Sequence, residues 1–487
     1  MADALTEQRR LDRHLIRGIG WTAVSKWSAQ AVSWSAMLIL ARLLAPADFG
    51  LVGMALVFLG LASMVSEFGV GSAVVTMRDL PRDVIAQIHA CSILFGLCAW
   101  AVGLAAAMPL AWFFHSPALG PLLMVMSLTL VPGGLRTVPG ALLQRDMRFR
   151  VIAAAEAVQS VVQASASVGM AWMGFGYWSL VWPAVAGSAA YTALLLWKSP
   201  QALARPRWAA LKPALVFGSH LLVSRISWYL FSNADFAVAG KTQGSAPLGA
   251  YTMAWNLASM PVDKISDVLT RVTPSVFSAV KNDDAAARRY LLRIVEPLAF
   301  ITFPAAFGIA VTAPDAVPVL LGAKWTQSIT PLRLLACYAS LRSISTILPH
   351  VIVSRNDTRF AMWGSLFTLV VLPSAFLFAS RWGIDGIAWA WVVAYPVVTA
   401  PLYIRTFQLI HLRIGEYLSA LAPTCAATAV MVACAAAVRS AAVTWPAPAR
   451  LAAAIAVGAA AYLGTYWFAF RGRLDRYRKV IGLQSGA

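Results

Sequence analysis

Charge is scarce in this chain. Of 487 residues only 12% are Asp, Glu, Lys or Arg, the acids number 20 against 39 bases, and His occurs six times, whereas 60% of residues are hydrophobic. A water-soluble core of this length needs nothing so apolar, which excludes a soluble enzyme and, despite the net charge of +19, a nucleic-acid-binding protein. Cysteine is also sparse. Cys91, Cys98, Cys337, Cys425 and Cys434 all lie in apolar stretches without CxxC spacing, so the sequence calls for neither a disulfide framework nor a metal. Long polar connections are missing as well. The longest, around 199–212, 277–290 and 314–330, are too short for a soluble domain. A membrane polymerase or ligase would need a larger loop with paired acids or His. No catalytic constellation and no cofactor is therefore expected.

What is present is a series of apolar stretches of ~20 or more residues, each long enough to span a bilayer as a helix. About fourteen recur, near 18–44, 49–75, 87–114, 118–143, 151–173, 177–198, 213–240, 248–276, 291–313, 331–354, 360–380, 384–408, 414–438 and 449–470, with twelve the nearest competing count. The first is too long for a signal-peptide core and no small-residue cleavage pattern follows it, so it is expected to be retained. With the amino terminus inside, about 26 Lys and Arg fall in inner segments, about seven in outer ones and about six within spans, as the positive-inside rule requires. A misplaced span would invert every later loop, so an even number of spans with both termini cytoplasmic is expected.

An internal repeat organises these spans. At an offset of 199 residues, Lys26 falls on Arg225, Arg42 on Lys241, Gly50 on Gly249 and Met54-Ala55 on Met253-Ala254 without a gap. Gln144-Arg145-Asp146-Met147-Arg148-Phe149 resembles Ser354-Arg355-Asn356-Asp357-Thr358-Arg359-Phe360 with one insertion, and Gly174-Phe175-Gly176 resembles Gly383-Ile384-Asp385-Gly386. The expected architecture is an all-α integral membrane protein. Two like-oriented six-helix lobes, 1–198 and 199–412, would be related by a pseudo-two-fold along the membrane normal, with two extra helices and a basic tail over 413–487. Transporters built on such parallel repeats bind substrate between the halves.

A basic side chain near the centre of a membrane helix costs at least ~2.5–3.5 kcal/mol, so it usually faces a protein interior or a wet pathway. Lys26 shares a helix face with Thr22, Gln30 and Ser33, and Arg225 with Trp228, Ser232 and Asp235, by i, i+4, i+7 spacing. Neither has an acid within one turn of its own helix, which makes them the leading candidates for an anionic substrate. Lys264, Arg342, Arg271 and Arg136 complete the cationic set. Asp235, Asp263, Asp267 and Glu67 are candidates to couple transport to an ion. Two bland readings stand beside these. Asp263, Lys264, Asp267 and Arg271 are spaced to neutralise one another along one helix, and Arg136 lies near enough to its inner end to reach lipid headgroups.

The segments Leu40-Ala41-Arg42-Leu43-Leu44-Ala45-Pro46-Ala47-Asp48-Phe49-Gly50-Leu51, Glu67-Phe68-Gly69-Val70-Gly71-Ser72-Ala73 and Leu143 to Phe149 resemble the polysaccharide transporter family. That family belongs to the multidrug, oligosaccharidyl-lipid and polysaccharide flippase superfamily and includes Wzx-type O-antigen flippases and colanic-acid or xanthan export proteins. The resemblance implies two lobes packed as a V and alternating access. It also implies flipping of an undecaprenyl-pyrophosphate-linked oligosaccharide across the bacterial inner membrane, in a pathway shared with glycosyltransferases and a polymerase. A peptidoglycan-precursor flippase or a multidrug antiporter of the same superfamily is the runner-up, and a polymerase or ligase the rival from another class.

Overall fold

The computed structural model describes residues 30–77 and 79–471, without the side chains of residues 208, 210, 213, 220, 221, 223, 224, 266–272 and 358. Among the described residues every regular element is helical. In chain order the α-helices are α1 (Gln30–Leu43), α2 (Pro46–Glu67), α3 (Val70–Thr76), α4 (Arg82–Phe113), α5 (Leu119–Ser127), α6 (Leu130–Arg145), α7 (Phe149–Trp172), α8 (Trp178–Lys198) and α9 (Trp208–Ser232). They continue as α10 (Ala234–Gln243), α11 (Ser245–Ala279), α12 (Asp284–Leu320), α13 (Ile329–Ser345), α14 (Leu348–Ser354), α15 (Thr358–Ala379), α16 (Gly383–Leu409), α17 (Ile414–Ala441) and α18 (Ala447–Ala469). Ten stretches among the described residues are long and apolar enough to cross a membrane, one of them the 51-residue run through α15 and α16. The 35-residue α11 is not among them, because Asn256, Asp263 and Lys264 dilute its apolar average. Proline lies inside many of these helices, at Pro109, Pro139, Pro261 and Pro304 for example, as helices packed within a membrane tolerate.

Helix ends follow a common device. At His115, Met147, Gly174, Asn356 and His411 the backbone turns left-handed, and the next N–H reaches back five residues to a carbonyl, as in Arg148 to Leu143 (2.8 Å) and Asp357 to Ile352 (3.2 Å). This satisfies carbonyls that the helix leaves unpaired. It also refines the repeat. The turn residues Met147 and Asn356 stand 209 residues apart, as do Gly174 and Gly383, both with positive φ, so Asp146 corresponds to Arg355 and the second copy holds ten more residues than the first ahead of this turn.

By packing, the chain divides into two compact units, Met1–Gly249 and Ala250–Ala487. The repeat instead sets its boundary at residue 199. The difference arises because α9 and α10 pack within the first unit, where Leu211 and Ala214 of α9 join Val70, Ile88 and Val138 in one apolar cluster. The span expected over 213–240 is two helices. Asn233 interrupts it, its side-chain amide donating to Tyr229 O (3.0 Å) and to Ser232 Oγ (3.1 Å), and so Arg225 and Asp235 do not share one helical face. In the second unit, Leu291, Val295 and Leu298 of α12 pack with Leu348, Val351 and Tyr417. The last two helices are fixed to α12 at two places. Phe300 packs against Tyr462 and Tyr466, and the buried Asp315 pairs with Arg439 of α17 and with Arg450 of α18 (2.5 Å).

Candidate functional site

In the first unit the end of α2 with α3, α6, α8 and α9 surrounds a cavity of about 450 Å³ lined by Glu67, Ser72, Arg136, Gln144, Tyr191 and Arg225, among others. Local sequence shapes it. Phe68 and Gly69 both have positive φ and break the chain between α2 and α3, turning Ser72 toward α9. The close approach requires Gly69, whose added methyl would sit 2.8 Å from Gly218 of α9. On α6 the spacing Arg136, Gly140, Gln144 keeps three lining positions on one face, and Gly140 leaves the space that a side chain would take.

The two guanidinium groups are held by neutral partners. Arg136 donates to Ser188 Oγ (3.2 Å) and lies 5.2 Å from the centre of the Tyr191 ring. Arg225 donates to Ser72 Oγ (3.4 Å). No ion pair joins either of them to Glu67 among the described residues. The cavity thus offers two cations and one carboxylate, and its cations keep donors for an incoming anion. Three residues expected from sequence as separate candidates, Arg136, Arg225 and Glu67, are brought to one site, where Arg136 lines the cavity. Ser72, Gln144 and Tyr191 were not anticipated, although the four-residue spacing of Arg136, Gly140 and Gln144 was there to be read.

In the second unit Arg342 of α13 forms an ion pair with Asp263 of α11. The pair spans two helices, where spacing along α11 had suggested pairing within that helix. Its setting is aromatic, with the Arg342 guanidinium 5.9 Å from the Trp255 ring and 5.7 Å from the Tyr338 ring. Lys264 is exposed on α11 and Asp235 is fully buried in α10. Lys26 lies outside the described residues, as do the side chains of Asp267 and Arg271.

The sequence signature described as "Polysaccharide biosynthesis protein" matches residues 39–330. The lipopolysaccharide biosynthesis protein WzxC of Escherichia coli (strain K12) is 24% identical over 398 residues, 80% of each chain. The succinoglycan biosynthesis transport protein ExoT of Rhizobium meliloti (strain 1021) is 27% identical over 77% of each chain. In structure, the lipid II flippase MurJ in an inward closed conformation superposes with a TM-score of 0.74 at 12% identity, over 93% of this chain and 99% of that one, which establishes a shared fold. With the signature covering more than half its length and helices that can cross a membrane many times, the chain belongs to the polysaccharide biosynthesis protein family of membrane transporters.

Proposed function

We propose that the chain is a flippase that moves undecaprenyl-pyrophosphate-linked oligosaccharide repeat units from the inner to the outer leaflet of the bacterial inner membrane. It does so by alternating access and without chemical change to the cargo. The observation that carries this reading is the cavity of the first unit, where Arg136 and Arg225 are held by hydroxyl groups and face a single carboxylate. A pyrophosphate supplies the anionic oxygens that such guanidinium groups bind through charge-assisted hydrogen bonds. Its lipid tail can remain in the bilayer while the head group crosses.

The reading extends to fourteen spans in two like-oriented lobes, 1–198 and 199–412, with 413–487 appended and both termini cytoplasmic. Lys26, Lys264 and Arg271 would extend the cationic path, while Glu67, Asp235, Asp263 and Asp267 are the groups that could couple it to protons or sodium. Glycosyltransferases would supply the cargo and a polymerase would consume it. These assignments rest on charge distribution, on the repeat and on the resemblance of the chain to polysaccharide transport proteins.

The test is the double variant Arg136→Ala/Arg225→Ala in proteoliposomes carrying a fluorescent lipid-linked oligosaccharide. Each lost charged hydrogen bond is worth ~1.5–3 kcal/mol, so the flipping rate should fall by about tenfold or more while insertion and yield are kept. An unchanged rate would remove the cavity from the mechanism.

A further inference from the structure

The second unit contains a cluster that the cavity of the first does not explain. Trp255 of α11 packs beside Tyr338 of α13 (ring centres 5.8 Å apart) and Trp391 of α16 (5.5 Å), which themselves lie 4.4 Å apart. Behind them Tyr251 and Phe376 are fully buried, and the Trp391 indole N–H donates to the Tyr251 hydroxyl (3.1 Å). The Tyr395 hydroxyl is joined to Ser345 Oγ (2.7 Å). The rear of this wall is core. Its front is polar, because Trp255 is only half-buried and the Arg342–Asp263 pair lies at its edge.

The position of Asp263 shows that this edge is wet. It falls near the middle of the 35-residue α11, and its side chain is 49% exposed. A half-exposed carboxylate is stable only where water can solvate it, and α11 is not among the stretches apolar enough to cross a membrane, so this edge is read as facing a wet path. Thr252, Asn256 and Asp263 follow i, i+4, i+11 spacing and give α11 one polar face beside the rings, and Asn256 is exposed. Lys264 is the next residue and therefore lies ~100° round the helix.

We propose that Trp255, Arg342 and Asp263 form a subsite for a neutral sugar ring of the cargo, a proposal that rests on the transport reading above. The charge state argues for a sugar over a phosphate. Arg342 is already neutralised by Asp263, so the pair presents donors and acceptors without net charge, whereas the cavity of the first unit holds two cations against one acid. An organic cation fits no better, because Arg342 already places a positive charge beside Trp255 and Tyr338 and would repel a second one. A pyranose matches both parts of the cluster. Its C–H face, positively polarised, packs on an aromatic face that carries the negative end of the ring quadrupole, and its hydroxyls donate to the carboxylate and accept from the guanidinium. The cargo is thereby read at two places, the phosphates by net charge and the sugar by a neutral pair beside a ring.

Binding to the purified full-length chain in nanodiscs tests this with two probes, undecaprenyl pyrophosphate without sugar and the lipid-linked oligosaccharide fraction extracted from the producing strain. Wild-type protein should bind the glycosylated probe more tightly. Trp255→Ala should weaken that binding about tenfold, equivalent to ~1.4 kcal/mol, and leave the affinity for the sugar-free probe unchanged, which also shows that the variant is folded. Trp255→Phe should retain most of the preference. If Trp255→Ala does not fold, Trp255→Leu, which keeps apolar bulk and loses the aromatic face, serves instead, with the same selective loss expected. Equal wild-type affinity for the two probes, or a variant that loses both equally, overturns the sugar subsite and leaves the transport reading standing. Wild-type protein that binds neither probe overturns both.

Discussion

At the scale of single residues, the proposed function turns on how each charge within the helices is compensated. Arg136 and Arg225 are held by serine hydroxyls, which orient a guanidinium without cancelling its charge. Replacing Arg225 by Lys keeps the charge but loses the planar fork, so Arg225→Lys should transport better than Arg225→Ala and worse than wild type in the flipping assay. Asp315 is the opposite case. Its side chain is 2% exposed, and it accepts from both Arg439 and Arg450. Removing one member of a buried ionic cluster strands the others and costs ~3–5 kcal/mol. Asp315→Asn should therefore sharply lower the temperature at which detergent-solubilised protein loses its monodisperse peak. An unchanged transition would mean that the last two helices are held by packing alone. These charges could not have been grouped from sequence, since 124 residues separate Asp315 from Arg439 and only the fold brings them together.

At the scale of elements, the repeat becomes a packing arrangement. A methyl group added to Gly50 of α2 would sit 1.7 Å from the Ser245 carbonyl oxygen, and one added to Gly249 of α11 would sit 1.8 Å from the Pro46 carbonyl oxygen. Pro46 and Ser245 are 199 residues apart, as are Gly50 and Gly249, so the two close contacts exchange under the repeat. Neither glycine can be replaced without moving backbone. Gly50→Ala and Gly249→Ala should each reduce the yield of folded protein, and because they act on one crossing their effects should fall short of additive, as size-exclusion profiles of the single and double variants would show.

Much of this level was legible in the sequence. Apolar length marked the ten stretches that can cross a membrane among the described residues, against about fourteen expected, the offset of 199 paired Gly50 with Gly249, and the matched glycines at Gly174 and Gly383 share positive φ. What escaped was set by tertiary contact. The Asn233 break is a single polar residue within a long apolar stretch, and Asp263 pairs with Arg342 on another helix although acids and bases lie within one turn of it along the chain.

At the scale of the whole molecule, the asymmetry of Lys and Arg between inner and outer connections predicts which turns face the cytoplasm. A single cysteine introduced at Arg148 should react with a membrane-impermeant maleimide only after the inner membrane is opened. One at Trp445, in the turn between α17 and α18, should react from the periplasm directly. The reverse pattern would invert the topology.

The central claim is that this chain moves a lipid-linked oligosaccharide without altering it. The direct measurement reconstitutes the wild-type protein in liposomes with a fluorescent undecaprenyl-pyrophosphate-linked oligosaccharide, follows its exposure to a membrane-impermeant quencher, and recovers the lipid for mass analysis. The account predicts translocation well above that of protein-free liposomes, with the recovered mass unchanged. Translocation no faster than in protein-free liposomes, or a recovered lipid with its glycan transferred or cleaved, would contradict it.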